Sequence, residues 1–205
     1  LLSNCKKDRH SEQDIIRIRI AEEPEMISPI FSKSSISGQL SEKIFLPLAD
    51  YDPGSLKLQP VLIKEIPQAI FQDGIETYEL ELLDSIRWQD GTPLTVNDII
   101  TTYKLILNPA QEAASVRSTL KNLHAVIVDN NNNKKFKLQF KGRYHLDMEA
   151  ALNIPIFQAN SFNTNKSLEK YSVMQLAIAA DSLMDSADST ELVSTAANFK
   201  NAFKD

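Results

Sequence analysis

The chain has 205 residues, 42% of them hydrophobic and 24% charged, with a net charge of -5 and a pI near 5.3. That size and balance suit one substantial globular domain or two small ones, and they argue against a broad basic face and hence against nucleic acid as a partner. A single cysteine rules out a disulfide framework and Cys2His2-type zinc sites, and no apolar run approaches the roughly 18 residues that span a bilayer.

The chain opens LLSNCKKD. Two leucines and two small or polar residues before Cys5 resemble the tail of a bacterial lipoprotein signal, in which the cysteine becomes the lipidated first residue. Asn4 stands where Gly or Ala is usual, and a free thiol in a terminal segment is the alternative. The polar run KKDRHSEQD suits a tether, which sets residues 1–14 apart. IIRIRIA then alternates Ile16, Ile18 and Ile20 against Arg17 and Arg19, which predicts a strand from Ile15. Pro24 and Pro29 interrupt it. Ser37 is placed to cap a short helix that turns Leu40, Ile44 and Phe45 inward and stops before Pro47. DYDPGS is a turn cluster, and Pro60 and Pro67 make LKLQPVLIKEIPQAI extended or irregular. IETYELELL predicts a strand with Tyr78, Leu80 and Leu82 on one face and Thr77, Glu79 and Glu81 on the other.

SIRWQDGTPLTVNDIITTYKLILNP, Ser85 to Pro109, is the densest block of local signals. Asp90-Gly91 marks a tight turn. Thr95 is set to cap a helix, with Asp98 three residues on to complete the cap. Val96, Ile99, Ile100, Tyr103, Ile106 and Leu107 recur at helical spacing, and Asn108-Pro109 ends the helix. Trp88, between strand and turn, is expected to pack on that helix. Each residue type has a backbone reason for its place, so the block reads as scaffold.

LHAVIVDNNNNKKFKLQFKG predicts a hairpin with Phe136, Leu138 and Phe140 on one face and Asn130 to Asn133 as the connection. HLDMEAALN predicts a short helix and IPIFQANSF an extended segment. The last part is rich in Ala, Ser and Leu. It reads as two helices broken near Asp185 to Ser189, with Ser189 or Thr190 capping the second and with Phe199 and Phe203 on one face. The mixture of strands and helices gives a mixed α/β or α+β class. No nucleophile motif and no phosphate-cradling loop is present, and the pairs Glu22-Glu23 and Glu79/Glu81 read as solvated faces, so neither an enzyme nor a cofactor or metal site is expected.

ELELLDSIRWQDGTPLTVNDIITTYKLILNP resembles the signature region of the extracytoplasmic solute-binding proteins of family 5, the oligopeptide- and dipeptide-binding components of ABC importers. Trp88, Asp90, Gly91, Pro93, Leu94, Thr95 and Asp98 fit its pattern, and Val96 replaces the usual Ala. IRIAEEPEMISPIF is similar to the family's opening strand and turn, with Ser28 in place of the acidic residue. FKLQFKGRYHLDMEAALNIPIFQANSF is similar to a later strand, helix and extended segment.

The resemblance implies two lobes around a cleft, with residues 15–165 as the first lobe, 166–205 as its helical extension and the second lobe in sequence that this chain lacks. It implies no enzyme activity. It places Ser32, Lys33, Ser34, Ser35 and Ile36, in the loop after the opening strand, on the cleft wall. It also places Thr101 there, on the capped helix. A solvated loop and a neutral helix-surface residue are the respective alternatives. The implied partners are an oligopeptide ligand, an ABC permease and, through Cys5, an extracytoplasmic membrane surface. A surface receptor, sensor or chaperone on the same fold, and a nickel- or sugar-binding relative, are the other readings.

Overall fold

The computed structural model describes residues 19–24, 26–32, 34–163, 166–181 and 190–201. The expected opening strand, the Cys5 tether and Phe203 fall wholly or mainly outside them, as does the break between the last two helices.

The first helix, α1 (Ser35–Ile44), starts three residues earlier than its sequence suggests. Ser34 is the N-cap and its hydroxyl accepts from the Ser37 N–H. Ser37 and Ser41 are the buried residues of α1, while Ile44 is 59% exposed. Of the expected inward residues, Phe45 packs on Phe157 and Leu40 is half-buried, whereas Ile44 is left facing out. Two short strands follow, β1 (Ala49–Tyr51) and β2 (Leu58–Pro60), paired antiparallel across a connection in which Asp52 accepts from the Ser55 N–H.

A four-stranded antiparallel sheet comes next, in the order β3-β4-β6-β5, from β3 (Ala69–Gln72), β4 (Ile75–Glu81), β5 (Leu123–Asp129) and β6 (Asn132–Lys141). The alternation read in the sequence holds. Tyr78 sits opposite Leu138 and Leu80 opposite Phe136, all buried on one face, while Glu79 and Glu81 point outward to pair with Lys137, Lys64 and Lys135. Glu76 belongs to the same inward register and is only 4% exposed. The hairpin turns at Asn130-Asn131, tighter than the four-asparagine connection expected, since Asn132 and Asn133 already lie in β6.

Helix α2 (Val96–Leu107) is the centre of the molecule. Of the predicted apolar positions Val96, Ile99, Tyr103, Ile106 and Leu107 are buried and Ile100 is half-buried, and Asp98, Thr101, Thr102 and Leu105 are buried as well. A helix buried on nearly every side needs partners all round. These are α3 (Ala114–Arg117), α5 (Ala159–Phe162), α6 (Val173–Asp181), the turn Ser167–Lys170 and β6. Its C-terminal end is satisfied by Arg117, which donates to the backbone oxygens of Ile106, Asn108 and Gln111. Helix α4 (Asp147–Leu152) matches its prediction. IPIFQANSF is extended only through Gln158, because Ala159–Phe162 coils into α5. The last helix, α7 (Thr190–Asn201), buries Phe199 edge-on against Phe31, Phe157 and Phe162.

Candidate functional site

The Trp88 block forms a small hairpin and then a helix cap. Trp88 N–H donates to Thr92 O (2.8 Å), Gly91 N–H to Trp88 O (2.9 Å) and Leu94 N–H to Ile86 O (3.2 Å). Gly91 has φ +83°, a conformation an L side chain resists. Asp90 Oδ1 accepts from the Thr92 N–H and hydroxyl, and Asp90 Oδ2 from Gln158 Nε2. The Thr92 hydroxyl, the Thr92 N–H and the Gln158 amide, in that order, hold the Asp90 carboxyl below its ordinary range.

Asp98 does two things at once. Its Oδ2 accepts from the Thr95 N–H (2.8 Å) and hydroxyl (3.2 Å), and its Oδ1 accepts from the Ala159 N–H (2.8 Å). One turn on, the Thr102 hydroxyl donates to Asp98 O (2.8 Å) and accepts from the Phe157 N–H (2.9 Å). Three side chains of the block, those of Asp90, Asp98 and Thr102, thus hold Phe157, Gln158 and Ala159, residues 55 to 68 positions later. The block is a seam between two segments, and these polar groups are spent on the protein's own backbone and amides. The buried Trp88 Nε1, by contrast, has no acceptor among the described residues.

The predicted cleft wall lies elsewhere. Ser28, fully buried, accepts from the Ile30 and Phe31 N–H groups (3.3 and 3.2 Å), and so forms the turn in place of the acidic residue it replaces. Ser32 follows, with its hydroxyl on Ser34 O (3.3 Å). Lys33 lies outside the described residues. Ser34 is the α1 cap, and Ser35 and Ile36 form the first turn of α1, so what the sequence suggests as loop is half helix. Ser35 is exposed and Ile36 half-buried.

Ser32 lines a groove of about 370 Å³ with Met26, Ile30, Phe31, Glu112, Ser115 and Lys200. Ile30 and Ser115 also line an adjoining, more apolar groove of about 520 Å³ that runs to Tyr51 and Glu149, whose hydroxyl and carboxylate hydrogen-bond. Glu112 and Lys200 pair at 2.6 Å. Thr101 is 4% exposed and lines neither groove. Sequence reasoning missed Ser115, Glu112 and Lys200, because residues from three distant segments meet at this wall without a shared local pattern. Among the described residues no group of three or more His, Cys, Asp or Glu is arranged to hold a metal ion, and no helix is long and apolar enough to cross a membrane.

No protein-family model and no curated protein matches the chain. Solved structures do. An oligopeptide-binding protein from Thermus thermophilus, complexed with a pentapeptide, is similar over 86% of this chain and 30% of its own, at 17% identity and TM-score 0.61. NikZ from Campylobacter jejuni, in complex with Ni(L-His), is similar over 75% of this chain and 28% of its own, at 20% identity and TM-score 0.53. The ABC transporter substrate-binding protein CtaP from Listeria monocytogenes is similar over 70% and 28%, at 21% identity and TM-score 0.54. The chain therefore has the mixed α and β fold of the family 5 solute-binding proteins, over about 30% of the length of the solved structures it matches.

Proposed function

We propose that this chain is part of an extracytoplasmic peptide-binding protein of family 5 and supplies one wall of its cleft. The observation that carries the reading is the agreement between the fold, similar over 86% of the chain to a pentapeptide-bound protein, and a Trp88–Asp98 block whose side chains brace two segments. The wall is the turn through Ser32, with Lys33, Ser34, Ser35 and Ile36 following it. An extended peptide would run along the two adjoining grooves, held chiefly through its main chain, with apolar contact at Ile30 and a hydroxyl and a charge pair at Ser32, Glu112 and Lys200. Thr101 belongs to the same proposal only if the lobe opens over α2, since it is buried in this structure. Closure of a second lobe would enclose the peptide, and an ABC permease would receive it. Attachment to the membrane through Cys5 completes the proposal.

Calorimetry tests it. The 205-residue chain and a form extended through the second lobe are titrated with tri- to pentapeptides and, separately, with nickel and histidine. Saturable heat with peptides in the extended form, weakened by Ser32→Asp or Lys200→Glu, is the expected result. Heat with nickel and histidine alone would move the ligand class, as NikZ offers a precedent for a chelate ligand on this fold.

A further inference from the structure

On the Trp88 side the same block borders another groove, of about 420 Å³, which shares no lining residue with the two grooves of the cleft wall. Its walls are apolar and two of them are unusually bare: Ile44 is 59% exposed and Leu46 is 48% exposed, next to the half-buried Ile86 and Trp88. Large aliphatic side chains massed at one concavity mark a binding surface more often than single scattered ones do. The volume is within the range that holds a small ligand.

The charge around it is one-sided. Lys43 and Arg87 line the groove, and among the described residues no Asp or Glu lines it, in a protein whose net charge is -5. Arg87 is anchored by one bond from Nη1 to Gly91 O (2.8 Å), which fixes its guanidinium without neutralising it. Asp90, the acid next along the chain from Gln89, already has its oxygens on Thr92 and Gln158. Apolar walls, two cations and no lining anion are together complementary to one chemistry, an apolar body that ends in a carboxylate.

We propose that this groove binds a free apolar carboxylate of medium chain length, with the chain against Trp88, Ile44 and Leu46, and the carboxylate at Lys43 and Arg87. The site is separate from the peptide wall at Ser32 and stands whether or not that reading does.

Trp88 is the only tryptophan in the chain, so its fluorescence reports this groove alone. The 205-residue chain is titrated with sodium decanoate below its micelle-forming concentration, with decanol as the uncharged control. A saturable change in Trp88 emission is expected, with a midpoint for decanol about ten-fold weaker. The double variant Lys43→Glu, Arg87→Glu should weaken decanoate by about ten-fold as well, the size expected when two partly exposed attractions become repulsions. Both positions are at the surface, and an unchanged circular dichroism spectrum and urea midpoint confirm that the variant folds. No saturable change, equal midpoints for decanoate and decanol, or a midpoint indifferent to the double variant would each overturn the proposal. A peptide with a free C-terminal leucine that binds as tightly as decanoate, while its amide does not, would assign the groove to peptide ends and overturn it equally.

Discussion

Replacing Asp98 with alanine tests the bracing role most directly. Asp98 is 5% exposed, and its carboxylate accepts three hydrogen bonds, two from Thr95 and one from the Ala159 N–H. Loss of the helix cap costs about 1 kcal/mol. The Ala159 N–H is left buried without an acceptor, which costs about 1–3 kcal/mol. The two effects act through different oxygens of one side chain, so they add to about 3 kcal/mol. With a urea slope of about 2 kcal/mol per molar, the unfolding midpoint should fall by about 1.5 M. Asp98→Asn should recover part of this, because its single oxygen can serve Thr95 or Ala159 but not both. Equilibrium urea unfolding followed by far-ultraviolet circular dichroism measures all three proteins. A midpoint within about 0.3 M of the parent for Asp98→Ala would refute the seam.

Three further outcomes follow from the same geometry. Thr102→Val keeps the shape but removes the acceptor for the Phe157 N–H, and should lower stability by about 1–3 kcal/mol in urea unfolding, whereas Thr102→Ser should restore most of it. Phe199→Ala empties a site fully buried among three other rings and should cost about 3–5 kcal/mol, read as a loss of thermal midpoint. Burial first, and then the charge of Glu76, push the Asp147 carboxyl above its ordinary range, despite the opposing hydrogen bonds from Asn122. A carboxyl raised in the folded state binds more protons there than when unfolded. Its contribution therefore falls as pH rises from the ordinary carboxylate value of about 3.9 through the raised folded value. Asp147→Asn should remove that decline, seen as a flatter difference in urea midpoint between acidic and neutral pH.

Much of the architecture is readable in short stretches because those stretches carry complete local signals. Period-two alternation at Tyr78, Leu80 and Leu82, and again at Phe136, Leu138 and Phe140, determines which face of the sheet is buried. Asp90-Gly91 and Thr95-Asp98 specify a turn and a cap by backbone chemistry alone. What the sequence hides is set by distant partners. α1 buries Ser37 and Ser41 most deeply and leaves Ile44 exposed, which its own hydrophobic pattern does not reveal. Glu76 follows the strand register into the core although its type predicts solvent. Thr101 looks like a surface residue until the segments that pack around α2 are considered. The candidate wall is legible only in part. Ser32 and Ser34 are named by the family resemblance, but Ser115, Glu112 and Lys200 join Ser32 from segments far along the chain.

The seam between the Trp88 block and Phe157–Ala159 also governs the order of events during folding. Its bonds join residues 55 to 68 positions apart, so a nascent chain that has just delivered Asp98 and Thr102 can make only their local bonds, to Thr95 and to Asp98 O. Asp98 Oδ1 and the acceptor side of the Thr102 hydroxyl gain their partners only once the distant segment has emerged. Contacts of such long loop closure slow the approach to the native state, and they make residue 159 a milestone: a chain halted before it lacks the clasp that locks the central helix in place.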